Sequence, residues 1–124
     1  MNYAAALDFL LSRTDYERWP GYNYAIRFDL RRTEDLLRRL GNPHHFAKSV
    51  HIAGSKGKGS TSAMIAAGLQ NAGYKTGLYT SPHLLRYNER VQLNGVEATD
   101  EQLCEAFAAL DAGRGDTSLT YFEM

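Results

Sequence analysis

The chain has 124 residues, and its 14 Lys and Arg balance 14 Asp and Glu. That balance excludes a global field that would draw the protein onto nucleic acid or a membrane, and it favours small-molecule ligands. Cys104 is the only cysteine, which excludes an internal disulfide and suits a reducing cytoplasm. With no secretory signal pattern or membrane-length apolar run, the sequence predicts a soluble cytoplasmic protein.

The first third of the chain predicts two helices. Apolar residues at helical spacing mark the first between Ala4 and Leu11, and Trp19-Pro20-Gly21-Tyr22 then breaks the pattern. A second helix is predicted from Leu30 to Leu40, with Gly41 as its C-terminal cap. Arginines alternate with leucines along it, which favours a solvated helix face over a nucleic-acid patch. The basic cluster consists of Arg27, just before this helix, and Arg31, Arg32, Arg38 and Arg39 within it.

The middle of the chain predicts a strand, a glycine-rich loop and a helix in succession. The strand is Val50 to Ala53, the helix is Ser60 to Ala72, and the loop between them is Gly54-Ser55-Lys56-Gly57-Lys58-Gly59-Ser60. Backbone amides, the helix N-terminus and Lys58 can together surround a phosphate there. The loop departs from the strict P-loop pattern, since a glycine follows Gly-Lys where Ser or Thr is expected. A glycine-rich turn without a ligand is the alternative.

The segment after this helix predicts a second core strand, Lys75 to Tyr79, which would complete a βαβ unit with the first. Its end delivers Ser81 to the edge where open α/β sheets bind ligands. Taken alone, Ser81-Pro82 reads as a turn.

The last third predicts a strand from Arg90 to Leu93, a tight hairpin at Asn94-Gly95 and a helix to about Ala112. Thr99 and Gln102 have the spacing of a capping box at the start of that helix. A flexible link is expected over Gly113-Arg114-Gly115-Asp116. Thr120 and Glu123 repeat the box spacing, so a new helix is predicted to begin at Tyr121, and the chain looks cut within that element.

Four ordered segments resemble the folylpolyglutamate synthase and dihydrofolate synthase family of Mur-type amide ligases. They are His51 to Ser60, Gly77 to Leu84, Asn88 to Val91 and Leu119 to Glu123. The resemblance implies an α/β fold, a P-loop-type, mostly parallel sheet with flanking helices, as in Mur-ligase-like ATPase domains. Residues 1–124 would be the N-terminal part of the ATP-binding domain, truncated, without the remainder of that domain or the C-terminal domain.

The resemblance also implies an activity. The parent protein would be a monomeric ATP- and Mg²⁺-dependent ligase that adds L-glutamate to dihydropteroate, to tetrahydrofolate or to both, through an acyl phosphate. These 124 residues alone are expected to be inactive. Two other functions stay open: a cell-wall Mur-type peptide ligase, which shares the ATP loop, and a non-catalytic nucleotide-binding module.

Site residues follow from the positions that match the family. ATP binding falls to Ser55, Lys56, Gly57, Lys58, Gly59 and Ser60, with Lys58 as the catalytic cation, although Ser60 could equally be a helix-start residue. Ser81 matches a Mg²⁺ ligand, and a hydroxyl oxygen suits that hard cation. Dihydropteroate contacts fall to Thr120, Tyr121, Phe122 and Glu123.

The types in this last segment suit a pterin, since an aromatic face can stack on the ring and a carboxylate can accept its hydrogen bonds. The alternative is that Tyr121 and Phe122 are core residues and Glu123 caps a helix.

The chain departs from the family at Ser55-Lys56, where Thr-Asn is usual. Ser55 keeps the hydroxyl of the threonine, whereas Lys56 places an extra cation beside the phosphates in place of a neutral Asn. The histidines lack metal-ligand spacing with an acidic partner and are expected at the surface or at strand ends. These are His44, His45, His51 and His83.

Overall fold

The computed structural model describes residues 1–13, 30–117, 119–121 and 123–124. Its helices are α1 (Tyr3–Leu11), α2 (Leu30–Arg39), α3 (Lys58–Asn71) and α4 (Asp100–Arg114), and its strands are β1 (Gly77–Tyr79), β2 (Val91–Leu93) and β3 (Val96–Glu97). Short 3₁₀ turns cover Pro43–His45 and Tyr87–Arg90. The predicted break at Trp19 to Tyr22, Arg27 and Phe122 lie outside the described residues. Within the described residues, no helix has the length and apolar character needed to cross a membrane.

The chain divides into two compact units. A two-segment unit combines Met1–Lys48 with Cys104–Met124, and a central unit comprises Ser49–Leu103.

The two-segment unit confirms both predicted N-terminal helices. The Asn2 side chain caps α1 by accepting a 2.8 Å hydrogen bond from the amide of Ala5. Leu10 is fully buried on the inner face of that helix. After α2, Gly41 adopts a left-handed φ of 80°, the conformation in which a C-terminal glycine ends a helix.

Gly113 lies inside α4, so the predicted flexible link at Gly113 and Arg114 is wrong. A Cβ at Gly113 would lie 2.8 Å from Leu40 Cδ2, which shows that the α4 backbone packs closely on the end of α2. Because Gly113 has no side chain, α4 can pack this closely against the end of α2. Helix α4 ends at Arg114, and Gly115 follows it with a left-handed φ of 56°.

The central unit holds a three-stranded antiparallel sheet. Tyr79 pairs with Val91 between β1 and β2, and Gln92 pairs with Glu97 between β2 and β3. Asn94 and Gly95 both have positive φ, at 50° and 78°, as the predicted tight hairpin turn requires. The Thr99–Gln102 capping box also forms, through reciprocal hydrogen bonds of 2.9 and 3.2 Å.

The predicted βαβ unit is wrong in one part: Val50–Ala53 forms no ladder with the other described residues, and every observed strand pairing is antiparallel. A strand needs a neighbour whose amides and carbonyls face it, and β1 takes that partner from β2. The short apolar run therefore lies outside any strand, with Val50 exposed. The helix-to-strand half of the prediction holds, because α3 packs against β1.

Candidate nucleotide and metal site

The loop before α3 exposes backbone amides that have no hydrogen-bond partner in the part of the chain that the structure describes. Gly57 is the N-cap residue with a left-handed φ of 75°, and no side chain caps the helix there. The first helical hydrogen bond runs from the amide of Thr61 to the carbonyl of Gly57 at 3.0 Å. The amides of residues 58, 59 and 60 come before Thr61, so the helix offers them no carbonyl acceptor one turn earlier. Residues 54–60 are all exposed, so these amides and the positive helix end can receive an anion.

Lys58 is the first residue of α3, and its side chain returns to the loop. Its ammonium donates a 2.9 Å hydrogen bond to the carbonyl of Gly54. An ammonium carries three donors, so two remain for other oxygens. The geometry keeps one cation above the loop that the sequence assigns to phosphate binding.

Lys56 brings a second cation to the same loop. Its side chain is exposed, and it has no hydrogen-bond or ion-pair partner among the described residues. Ser55 is exposed beside it. Ser60 lies within the first turn of α3, while Gly57 occupies the N-cap position, so Ser60 does not cap this helix.

Ser81 follows the end of β1, in the same unit as the loop. Helix α3 packs against β1 and joins it through a short turn, so the two elements run in opposite directions. We therefore expect the start of α3 and the end of β1 to lie towards the same edge of the unit. Ser81 is exposed, precedes Pro82 through a cis peptide bond, and its hydroxyl has no partner among the described residues.

One hydroxyl cannot hold a metal ion alone. Across the residues that the structure describes, no group of three or more His, Cys, Asp or Glu side chains could hold one either. Mg²⁺ nevertheless often binds through one or two protein oxygens, with waters and substrate phosphates as its other ligands. The donor set at Ser81 therefore fits a Mg–nucleotide complex and does not fit a site for the bare metal.

Arg90 and Glu89 hold the turn that carries Ser81, and the sequence prediction assigned neither a role. Arg90 is 3% exposed, and its Nε donates to Nδ1 of His83 over 2.8 Å. Its carbonyl accepts a 2.9 Å hydrogen bond from the amide of Thr80. The sequence signal for Arg90 was its position, a charged residue at the start of a predicted half-exposed strand. An arginine that becomes buried there needs specific partners.

The Glu89 carboxylate accepts three backbone hydrogen bonds of 2.8 Å, from the amides of Leu84, Leu85 and Arg86. The bond from Leu84 contributes most to lowering the pKa of Glu89, followed by the bond from Arg86. Leu84 and Leu85 are held in solvent, at 91% and 92% exposure. Glu89 therefore fixes the main chain that follows His83.

The predicted dihydropteroate segment belongs to the two-segment unit, whereas the loop and Ser81 belong to the central unit. The Thr120 amide donates to Glu123 Oε2 at 2.8 Å, and the Glu123 amide donates to Thr120 Oγ1 at 3.3 Å. Arg32 forms a 3.1 Å ion pair with Glu123 Oε1. Tyr121 is 4% exposed, as its core interpretation predicts.

The predicted capping box at Thr120 therefore forms, but residues 121 and 123 make a turn and not a helix. A helical turn there needs amide donors four residues further along the chain, and the box alone does not supply them.

No family model matches the chain. It is 42% identical over 104 residues to the dihydrofolate synthase/folylpolyglutamate synthase of Escherichia coli strain K12, covering 82% of this chain and 24% of the relative. The chain thus spans about a quarter of the length of that relative.

The chain is also similar to solved structures of folylpolyglutamate synthases. Folylpolyglutamate synthetase from Lactobacillus casei matches with a TM-score of 0.82 and 34% identity, over 99% of this chain and 30% of that chain. E. coli FolC in complex with DHPP and ADP matches with a TM-score of 0.76 and 36% identity, over 99% of this chain and 28% of that one. These matches confirm the predicted fold class, a Mur-ligase-like α/β fold.

Proposed function

Because the chain is homologous in sequence and fold to folylpolyglutamate/dihydrofolate synthases, we propose that its parent protein is an ATP- and Mg²⁺-dependent ligase that joins L-glutamate to dihydropteroate, to tetrahydrofolate or to both. The observation that carries the proposal is the exposed loop at Gly54–Ser60, whose amides open at the start of α3 and whose Lys58 ammonium lies 2.9 Å from the Gly54 carbonyl. The solved relative that contains DHPP and ADP supports the substrate classes.

The loop would hold the β and γ phosphates of ATP. Phosphoryl transfer depends mainly on positioning and on stabilising charge, which the loop amides and Lys58 supply. Glycines at positions 57 and 59 let the phosphate approach the backbone. Lys58 would stabilise charge on the transferring phosphoryl group, and the hydroxyls of Ser55 and Ser60 would add hydrogen bonds to phosphate oxygens.

Ser81 would be one ligand of Mg²⁺, which when bound with ATP neutralises phosphate charge. The substrate carboxylate would accept the phosphoryl group, giving an acyl phosphate, and the glutamate amine would displace that phosphate to form the amide. The described residues include no group that we assign to glutamate binding, so this step is placed on the rest of the parent protein.

The segment Thr120 to Glu123 would contact dihydropteroate. Within it, the reciprocal hydrogen bonds of Thr120 and Glu123 fix the backbone, and the ion pair with Arg32 orients the carboxylate. A carboxylate held in one orientation suits a pterin edge, which offers several donors. Residues 1–124 would be one part of the ATP-binding domain, inactive when isolated.

Phosphate release tests the proposal. The full polypeptide that contains this chain is incubated with ATP, Mg²⁺ and glutamate, with dihydropteroate or tetrahydrofolate as the acceptor. We expect release that depends on the acceptor and a product with one more amide bond. Release only with a nucleotide-linked peptide would favour the cell-wall ligase, and no acceptor-dependent release would refute the ligase proposal. The isolated 124-residue chain serves as the comparison and should form no amide.

A further inference from the structure

Arg90 is bonded to the chain on both sides of Ser81. Its carbonyl accepts from the amide of Thr80 at 2.9 Å, and its Nε donates to Nδ1 of His83 at 2.8 Å. The dipeptide Ser81-Pro82 therefore lies between two residues that are tied to one arginine. All of these residues lie in the central unit.

The guanidinium is itself held by aromatic neighbours. Its Nη1 lies 3.4 Å from the Tyr79 hydroxyl, and its carbon lies 5.4 Å from the centroid of the Tyr87 ring. The His83 ring also meets the Tyr87 ring edge-on, with centroids 5.9 Å apart. Arg90 is 3% exposed, so its rigid planar fork has little freedom. Arg90 can therefore hold the turn that carries Ser81 in one conformation.

This contact also sets the His83 ring. Because Nδ1 accepts the hydrogen bond from Arg90, the ring proton is on Nε2. A lysine at position 90 would keep the charge and the backbone bond to Thr80 but lose the planar donor to His83.

We propose that Arg90 is a positioning residue that fixes the Ser81 hydroxyl for the Mg²⁺ of bound Mg–ATP; this inference rests on the proposed nucleotide site. Mutating a group that orients a metal ligand through hydrogen bonds typically lowers metal affinity by about 10- to 100-fold. Arg90 acts here through the backbone that carries Ser81 and has no assigned contact with substrate.

Calorimetric titration with ATP, in the presence and absence of Mg²⁺, tests this in the full polypeptide. For Arg90→Lys we expect the Mg²⁺-dependent gain in ATP affinity to fall about 10- to 100-fold, with Mg²⁺-free affinity unchanged. Arg86→Lys is the matched control, because the Arg86 side chain is about half-exposed and its ion pairs with Glu97 and Asp100 are both 3.6 Å long. It should behave as wild type.

A double-mutant cycle shows whether Arg90 acts through Ser81. Ser81→Ala should lose the Mg²⁺-dependent gain, and adding Arg90→Lys should then have no further effect. Equal losses in the wild-type and Ser81→Ala backgrounds would overturn the proposal, as would an unchanged Mg²⁺ dependence in folded Arg90→Lys.

A measurement on the wild-type protein covers the case in which the variants do not fold. Nitrogen NMR of the His83 ring should find the proton on Nε2 and an accepting Nδ1, whereas a proton on Nδ1 would overturn the proposal. The ligase proposal fails separately: a protein that forms no amide but loses Mg²⁺-dependent ATP binding in Arg90→Lys supports the role of Arg90 and refutes only the assigned reaction.

Discussion

The ammonium of Lys58 lies 2.9 Å from the carbonyl oxygen of Gly54, four residues earlier in the chain. The side chain thus crosses the loop between them, which is where we propose that a terminal phosphate of ATP binds. Removing it should cost reaction rate and leave the fold intact, because the side chain is exposed.

Lys58→Ala should lower phosphate-release turnover of the full polypeptide by about 100-fold or more, as loss of one preorganised charge-stabilising donor typically does. The measurement is the initial rate at saturating ATP. Ser62→Ala is the control, since Ser62 donates a 2.8 Å hydrogen bond to the Lys58 carbonyl and leaves the loop charge unchanged. A Lys58→Ala enzyme that kept wild-type turnover would contradict the assigned role.

Lys56→Asn should weaken ATP binding only moderately. Lys56 is exposed and has no partner in the described part of the chain, so its attraction to phosphate is screened by water and salt. An exposed pair contributes about 0.2 to 1 kcal/mol, which corresponds to roughly a one- to fivefold change in affinity. Lys75→Asn makes the same charge change near the start of β1 and should leave affinity unchanged. Titrations at two salt concentrations separate the two, because only the Lys56 effect should shrink at high salt.

Gly57 and Gly59 should respond to alanine in opposite directions. Neither site has an atom within 4 Å of an added Cβ, so only backbone preference differs. Gly57 has a left-handed φ of 75°, and alanine there should destabilise the chain by about 1 to 2 kcal/mol. Gly59 lies within α3, where alanine should stabilise by about 1 kcal/mol. Denaturant unfolding measures both, and equal signs would refute the backbone geometry of the loop.

Acidification should release the turn held by Glu89 only at low pH. The backbone bonds from Leu84 and Arg86 lower the pKa of Glu89 in the folded chain. The stabilisation is therefore present above the unfolded pKa of about 4.3 and is lost as the pH falls through the lower folded value. The protection of the amides at positions 84 to 86 against hydrogen exchange, relative to an unfolded chain at the same pH, should stay high at neutral pH and be lost only in that acidic range. Glu89→Gln should make these amides exchange quickly already at pH 7, and slow exchange in that variant would contradict the assignment.

The roles of Glu123 and Arg32 can be distinguished by how strongly a substitution of each raises the KM for dihydropteroate. Glu123→Gln removes the charge that the proposed pterin contact uses, whereas Arg32→Gln removes only the partner of the 3.1 Å ion pair. We therefore expect Glu123→Gln to raise the KM for dihydropteroate more than Arg32→Gln does, with the KM for ATP unchanged in both. Equal effects would indicate that Glu123 only supports the local turn.

Local chemistry was largely readable from the sequence. The hairpin at Asn94-Gly95 and the box at Thr99 depend on contacts within four residues, and both form as predicted. The Gly113 region could not be read in the same way, because glycine there serves a close approach to Leu40, more than 70 positions away. The strand at Val50 failed for a similar reason, since a ladder depends on a neighbour that the run itself does not specify.

The site residues also differ in whether they depend on local contacts or on contacts between distant positions. Lys58 was predicted because loop and helix are contiguous, and the structure brings its ammonium back to the loop. Arg90 was missed because its importance lies in a contact with His83 across the turn, which no spacing rule expresses.

The neighbouring positions 89 and 90 fix the turn on both sides of His83, one through its side-chain carboxylate and the other through its guanidinium and carbonyl. A one-residue deletion or insertion between Tyr87 and Val91 would move both groups at once and would also shift β2 against β1, turning its side chains to the opposite face. This stretch should therefore resist insertions and deletions.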